Sequence, residues 1–165
     1  MNTKIKWEKS GWVMLAMLGV SLTLAQIGCK AVDKFKEPAL SPIVVESAQV
    51  KLVKQSDEAA QFEVILTITN PNTTPLPLVE STLMLDIDGH GTASTNYLLH
   101  RTAPALLSQT VIIPVVIVTS EQVSAGTSWS TKGSITYQPP GEFRKLLTDS
   151  NVPLPSAAFD LQGQM

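Results

Sequence analysis

The 165-residue sequence predicts an all-β fold: an antiparallel β-sandwich of about seven strands with one or two short helical turns. Three observations predict it. Apolar and polar residues alternate at period two through several segments, the spacing that lines one face of a pleated strand. Eleven prolines fall mostly between those segments, where they mark loops and strand edges rather than long helices. Helix-period runs are scarce, so hairpin-connected sheets fit the pattern better than alternating strands and helices. With one cysteine in the chain there is no internal disulfide framework, and a core of this size is adequate without one.

The first segment stands apart from that pattern. Lys4, Lys6 and Lys9 against Glu8 give a basic start, and residues 10–27 then carry no charge around the apolar centre Trp12–Leu24. This is the form of an export signal. It ends in Leu24-Ala25-Gln26-Ile27-Gly28-Cys29, which resembles the lipobox of bacterial lipoproteins. Gly28 fits that pattern, and Gln26 departs from it, standing where an aliphatic residue is usual. The resemblance implies a signal peptide over 1–28 and lipidation of Cys29 as the mature N-terminus. An uncleaved signal-anchor helix is the alternative, since eighteen to twenty uncharged residues are just long enough to span a bilayer. Both readings put the rest of the chain outside the cytoplasm and tethered to a membrane. Lys30 is not the Asp that resembles an inner-membrane retention signal, which favours the periplasmic face of an outer membrane. Residues 29–42, with Pro38 and Pro42 among mixed charges, read as a tether, and 43–165 as the folded domain.

Within that domain Val44–Val53 is the first strand. Gln61–Thr69 follows, with Phe62, Val64, Leu66 and Ile68 on the core face and Glu63, Ile65, Thr67 and Thr69 on the other. Thr82–Ile87 repeats the rule, turning Leu83, Leu85 and Ile87 inward. Asp88-Gly89-His90-Gly91 is a hairpin signal, because glycine readily supplies the positive φ of a tight turn. Thr110–Thr119 is apolar on both faces. Pro114 within it cannot donate a ladder hydrogen bond, so this strand belongs at a sheet edge or carries a bulge. Lys132–Gln138 and Ala158–Gln162 complete the strands. Helical turns are predicted at Ser120–Ala125 and Gly141–Leu147.

The Gln61–Thr69 strand runs into Asn70-Pro71-Asn72 and then Pro75-Leu76-Pro77-Leu78. Proline fixes φ and stops further pairing, while the Asn side chains can bond nearby backbone groups, so the element ends a strand without stranding buried amides. This pattern resembles the type 2 late-embryogenesis-abundant family, also called the water-stress and hypersensitive-response domain. The resemblance extends through Leu83–Ile87, a small-residue strand near Gly91–Thr95, Thr110–Val118, Gly133 to Tyr137, and Val152-Pro153-Leu154-Pro155, covering roughly residues 43–163. It implies a fibronectin- or immunoglobulin-like sandwich, folded rather than disordered, with a role in desiccation or stress tolerance. The chain departs from the family between Thr119 and Trp129, where a longer helical segment is usual.

The composition argues against a nucleic-acid surface. Charged residues make up 16% and the formal charge is −2, whereas phosphate neutralisation needs clustered Lys and Arg. No glycine-rich phosphate loop occurs, so nucleotides are not indicated. Asp86-Ile87-Asp88-Gly89 resembles the opening of a calcium loop but lacks the later oxygen ligands, and a capped hairpin is the simpler account. His90 and His100 have no zinc spacing. No serine sits in a nucleophile-elbow sequence. Trp129 reads as a core or strand-edge aromatic. The sequence is therefore expected to be non-enzymatic and without a cofactor or metal. Two functions fit it. One is a membrane-tethered stress protein making weak contacts with membranes or partly unfolded proteins, to which Thr67, Thr69, Thr92, Ser94 and Thr95 would contribute hydroxyls. The other is an envelope binding or assembly module that pairs an edge strand, with Thr110–Thr119 the candidate, to a protein partner.

Overall fold

The structure is a computed structural model that describes residues 40–165. The signal segment, Cys29 and the greater part of the tether lie outside the described residues. Seven strands form in chain order: β1 (Val44–Gln55), β2 (Ala59–Thr69), β3 (Leu76–Ile87), β4 (Gly91–Ala103), β5 (Ser108–Val118), β6 (Ser128–Tyr137) and β7 (Ser156–Gln164). One helix, α1 (Gly141–Asp149), stands between β6 and β7. The strands make a three-stranded sheet, β1-β2-β5, and a four-stranded sheet, β4-β3-β6-β7, with every neighbouring pair antiparallel. The fold is the predicted all-β sandwich.

Period-two patterning sets the core. Phe62, Val64, Leu66 and Ile68 of β2 are fully buried, and they share one cluster with Leu83, Leu85 and Ile87 of β3 and Val111, Ile113, Val115 and Ile117 of β5. The intervening residues of β5, Ile112, Pro114, Val116 and Val118, are exposed. Trp129 and Tyr137 close the two ends of β6 within the same core. Two glycines allow the aromatic rings of β6 and β7 to close on the neighbouring strand. A Cβ on Gly163 would meet the Trp129 indole, and one on Gly133 would meet the Phe159 ring and the backbone at Thr82 and Leu83. The pairs Trp129–Gly163 and Gly133–Phe159 face each other in the β6–β7 ladder, so each ring covers the bare backbone opposite it.

β5 is an edge strand, one of the two placements Pro114 allows, and its ladder with β2 runs without a register shift. The Thr119 N–H donates to the Glu58 carbonyl, and the Leu107 carbonyl accepts from the Asn70 N–H. Odd-numbered residues of β5 therefore turn their backbone groups toward β2. Even-numbered ones, Pro114 among them, turn theirs to the free edge. The proline thus removes a donor at mid-edge, where a further strand would pair. It is a guard against strand addition, which counts against β5 as a pairing edge.

Three elements differ most from expectation, and β6 also begins earlier, at Ser128 rather than Lys132. β3 begins at Leu76 rather than Thr82, because Pro77 lies early in the strand where its missing N–H is not needed, and its carbonyl accepts from the Gln138 N–H. β4 is thirteen residues long, not a short stretch near Gly91–Thr95. Its alternation fails around His100, which has a φ of 43° where the β3–β4 ladder shifts register. Finally, Ser120–Ala125 forms no helical turn. The Gln55 carboxamide takes that segment's backbone groups instead, accepting from the Val123 N–H and donating to the Glu121 carbonyl.

Candidate functional site

The ladder registers bring β1, β3, β5 and β7 to start, and β2, β4 and β6 to finish, at one end of the sandwich. The arriving chain, Leu40 to Ile43, joins β1 there, so this is the proximal end. The distal end carries the β1–β2 and β3–β4 hairpins and the β5–β6 loop.

Asn70 is the centre of the proximal end and is fully buried. Its Nδ2 donates to the carbonyls of Thr74 (2.9 Å) and Ala103 (3.1 Å). Its Oδ1 accepts from the backbone N–H of Asn72 (3.0 Å) and from Asn72 Nδ2 (2.9 Å). Two donors and two lone pairs are the whole capacity of a carboxamide, and all four are used. The bond to Ala103 is also a cross-link between the two sheets, because Asn70 follows β2 and Ala103 ends β4. Pro71 between the two asparagines has no N–H to satisfy and fixes the turn.

Asn72 extends the same network outward. Its carboxamide meets the backbone of Ser41 on both sides, Nδ2 donating to the Ser41 carbonyl (2.8 Å) and Oδ1 accepting from the Ser41 N–H (2.9 Å). Its own carbonyl accepts from the Leu106 N–H at 3.0 Å, while the Asn70 N–H donates to the Leu107 carbonyl at 3.1 Å. Asn70-Pro71-Asn72 is therefore a joint. It holds the arriving chain, the end of β4 and the 104–107 loop in one place. Leu40 and Ile43 on either side of Ser41 already pack on the core. The Tyr137 phenol hydrogen-bonds the Ile43 backbone, and burial pushes its pKa up while that bond offsets part of the rise. Nothing in this arrangement frees a side chain for reaction, and its chemistry is that of fastening.

The other residues singled out in the sequence stay apart. The Asp86 carboxylate accepts from the Thr92 hydroxyl across the β3–β4 pair, and Asp88 sits in the hairpin, where its N–H donates to the Ser128 carbonyl. His90 lies in that hairpin, and His100 lies near the other end of β4. Among the described residues no three His, Cys, Asp or Glu side chains come together as a metal ion requires. Trp129 is buried, with its indole nitrogen lacking a partner. The proposed hydroxyl face is not one face. Thr67 and Thr69 belong to the three-stranded sheet and Thr92, Ser94 and Thr95 to the four-stranded one, and Thr69 bonds Ser108 at 2.7 Å.

Two features escaped the sequence reading. Asp57, Glu58 and Glu121 meet around one shallow cleft at the distal end, although they belong to separate loops. At the proximal end Leu106 and Leu107 project from the 104–107 loop, 63% and 60% exposed, and α1 buries none of its residues. An apolar pair beside Pro104, in a segment too short to be a strand, was the available signal.

No protein-family model matches the chain, and no curated protein matches it. Solved structures do match. A protein from Archaeoglobus fulgidus is 10% identical, covering 74% of this chain and 98% of its own, with a TM-score of 0.46. The structural-genomics target SoR45 is 12% identical, covering 74% and 85%, with a TM-score of 0.46. AT1g01470 from Arabidopsis thaliana is 14% identical, covering 79% of this chain and 87% of its own, with a TM-score of 0.50. The likeness to the Arabidopsis protein is one of fold, and that fold is the one implied by the type 2 late-embryogenesis-abundant resemblance.

Proposed function

We propose that this is a non-enzymatic envelope lipoprotein of the type 2 late-embryogenesis-abundant kind. It is tethered through Cys29, at the periplasmic face of the outer membrane, and serves desiccation or stress protection by weak contacts with proteins or membrane. The observation that carries the reading is the use of Asn70 and Asn72. The carboxamides of Asn70 and Asn72 are spent on holding the domain's own loops and the arriving chain. The histidines stand apart, and the carboxylates that do meet, Asp57, Glu58 and Glu121, line a shallow cleft with no histidine or cationic side chain in its lining, which supports a binding surface rather than a reaction centre. A deletion strain, dried and osmotically challenged, tests it when complemented with wild type and with Cys29→Ser. Wild type should restore survival and Cys29→Ser should not. Equal survival of all strains would sink the stress role.

A second reading has one observation in its favour. Ile112, Val116 and Val118 form an exposed apolar row on β5, with Val118 85% exposed. An envelope binding or assembly module would use that row against a specific protein partner. Because Pro114 guards the strand edge, the partner would lie on the face of the sheet. A stoichiometric partner that is captured by wild type and lost with Val116→Asp would favour this reading.

A further inference from the structure

The proximal end gathers, from separate parts of the chain, what a bilayer surface would recognise. Leu106 and Leu107 project from one loop. Phe143 and Leu146, one helical turn apart on α1 and with Leu146 60% exposed, project from another connection, with Val152 exposed just beyond. α1 packs substantially on no strand and buries none of its own residues. A nine-residue helix is marginal in water by itself, so an apolar face left uncovered in this way points to something outside the domain.

Where the chain arrives says what that something is. Ser41 is fastened to Asn72, and the Asn72 carbonyl holds the Leu106 N–H, so the tether joins the domain beside these leucines. Leu40 follows Cys29 by eleven residues, a reach of at most about 36–40 Å when fully extended. The strands themselves run for eleven to thirteen residues in the longer cases, so the tether is no longer than the sandwich. With a lipid chain at Cys29 the proximal end meets the bilayer at any extension of the tether, whereas the distal end reaches it only with the tether almost fully drawn out. Charge favours the same orientation. The distal loops carry Asp57, Glu58, Asp88 and Glu121 with no Lys or Arg, and an anionic lipid surface repels them. The connection around α1 balances Glu142 and Asp149 with Arg144 and Lys145, and cationic stems suit the headgroup layer.

We infer that the proximal end docks onto the membrane, with α1 and the Leu106–Leu107 loop seated in the lipid interface and the acidic end directed away. The inference rests on the anchored reading of Cys29. Each contact is weak alone, and tethering makes them effective by raising the local concentration.

Hydrogen exchange on the full chain, recovered with its anchor and reconstituted in phosphatidylethanolamine–phosphatidylglycerol vesicles, tests both layers. The full chain should sediment with vesicles, whereas a Cys29→Ser chain lacking the apolar residues 1–28 should not. In the sedimented protein the amides of Lys145–Asp149 should exchange severalfold more slowly than in that shortened chain without vesicles, with the β2 amides unchanged. A Leu106→Asp/Leu146→Asp variant, altered only at exposed positions, should sediment equally and lose that protection. If the chain sediments and α1 exchanges freely, docking is overturned and the anchor stands. Failure to sediment overturns the anchor, and docking with it. Equal protection of α1 without vesicles means that a second copy covers the face, which also overturns docking.

Discussion

The two ends of this sandwich are held by different physics. At the proximal end a carboxamide network closes the fold: Asn70 spends all four hydrogen-bonding sites, and Asn72 grips the backbone of Ser41. At the distal end a ring closes it, the Trp129 indole lying over Gly163 with its N–H unpartnered, and the half-buried Gln55 carboxamide there fastens only the 121–123 segment of one loop. Hydrogen bonds fix direction, so the proximal end determines where the chain arrives and which loop residues project. Ring-on-glycine packing is a matter of area and fit, and it leaves the loops around it free to carry acidic side chains. The difference explains why five apolar residues, two of them on α1, can stand exposed at one end without loosening it.

The core midway between the ends sets the scale for breaking either. Leu66 is fully buried and belongs to the same core as Leu83 and Leu85. Leu66→Ala should cost about 2–5 kcal/mol through lost burial plus a cavity. Thr67→Ala, one residue away on the outer face, should stay within about 0.5 kcal/mol. Urea melts of the pair measure this, and a more damaging Thr67→Ala would mean that the faces are reversed.

Asn70→Ala comes next. It leaves the Thr74 and Ala103 carbonyls and the Asn72 N–H without their partner, and each buried orphan costs about 1–3 kcal/mol. Solvent reaching the loop satisfies some of them, so a total of about 2–4 kcal/mol is expected in the same melts. Asp88→Ala at the distal end should cost far less. Proteolysis sharpens the contrast, because cutting near Ser41 should accelerate in Asn70→Ala while the distal loops keep their wild-type rate.

Gly163→Ala tests the distal lock. The new methyl would sit 2.5 Å from the Trp129 ring, so the indole or β7 must shift, at a cost of about 1–3 kcal/mol for overpacking. A red shift in Trp129 emission would accompany the loss if the ring is pushed toward water. An unchanged melt and unchanged emission would mean that the ring moves freely, and that the distal end is not locked by this contact.

How much of this was legible depended on the distance over which each interaction acts. The Phe62–Ile68 alternation is local, and it located both the core face and the strand. Pro114 is local too, and its missing N–H narrowed β5 to an edge or a bulge, of which the edge is the one that forms. The Asn70-Pro71-Asn72 turn was legible as a strand terminator. Its grip on Ser41, thirty-one residues away, was not, because nothing in either segment encodes the other. Residues 120–125 carried a helix-like start, yet Gln55 from another strand took their backbone groups, and a tertiary hydrogen bond overrode local propensity. β4 was under-read because the bulge at His100 breaks its alternation, and a pattern search stops where the period does.

The smallest effect concerns pH, and it belongs to the proximal end alone. Burial raises the Tyr137 pKa above its ordinary 10.0, and the hydrogen bond to the Ile43 backbone offsets part of that rise. The neutral phenol is thus the form that the fold prefers. A folded-state pKa above the unfolded value contributes stability that is fully present below about pH 10 and is lost as the pH climbs through the folded value. Tyr137→Phe removes the titration together with the Ile43 hydrogen bond. Below about pH 9 the variant should melt slightly lower than wild type, by the worth of one hydrogen bond, roughly 0.5–1.5 kcal/mol. Above about pH 10 the gap should shrink, since only wild type then loses the Tyr137 contribution. Thermal melts of the pair across this range decide it. A gap that widens with rising pH would mean that the ionised phenol is the better-held form, with the Ile43 backbone outweighing burial.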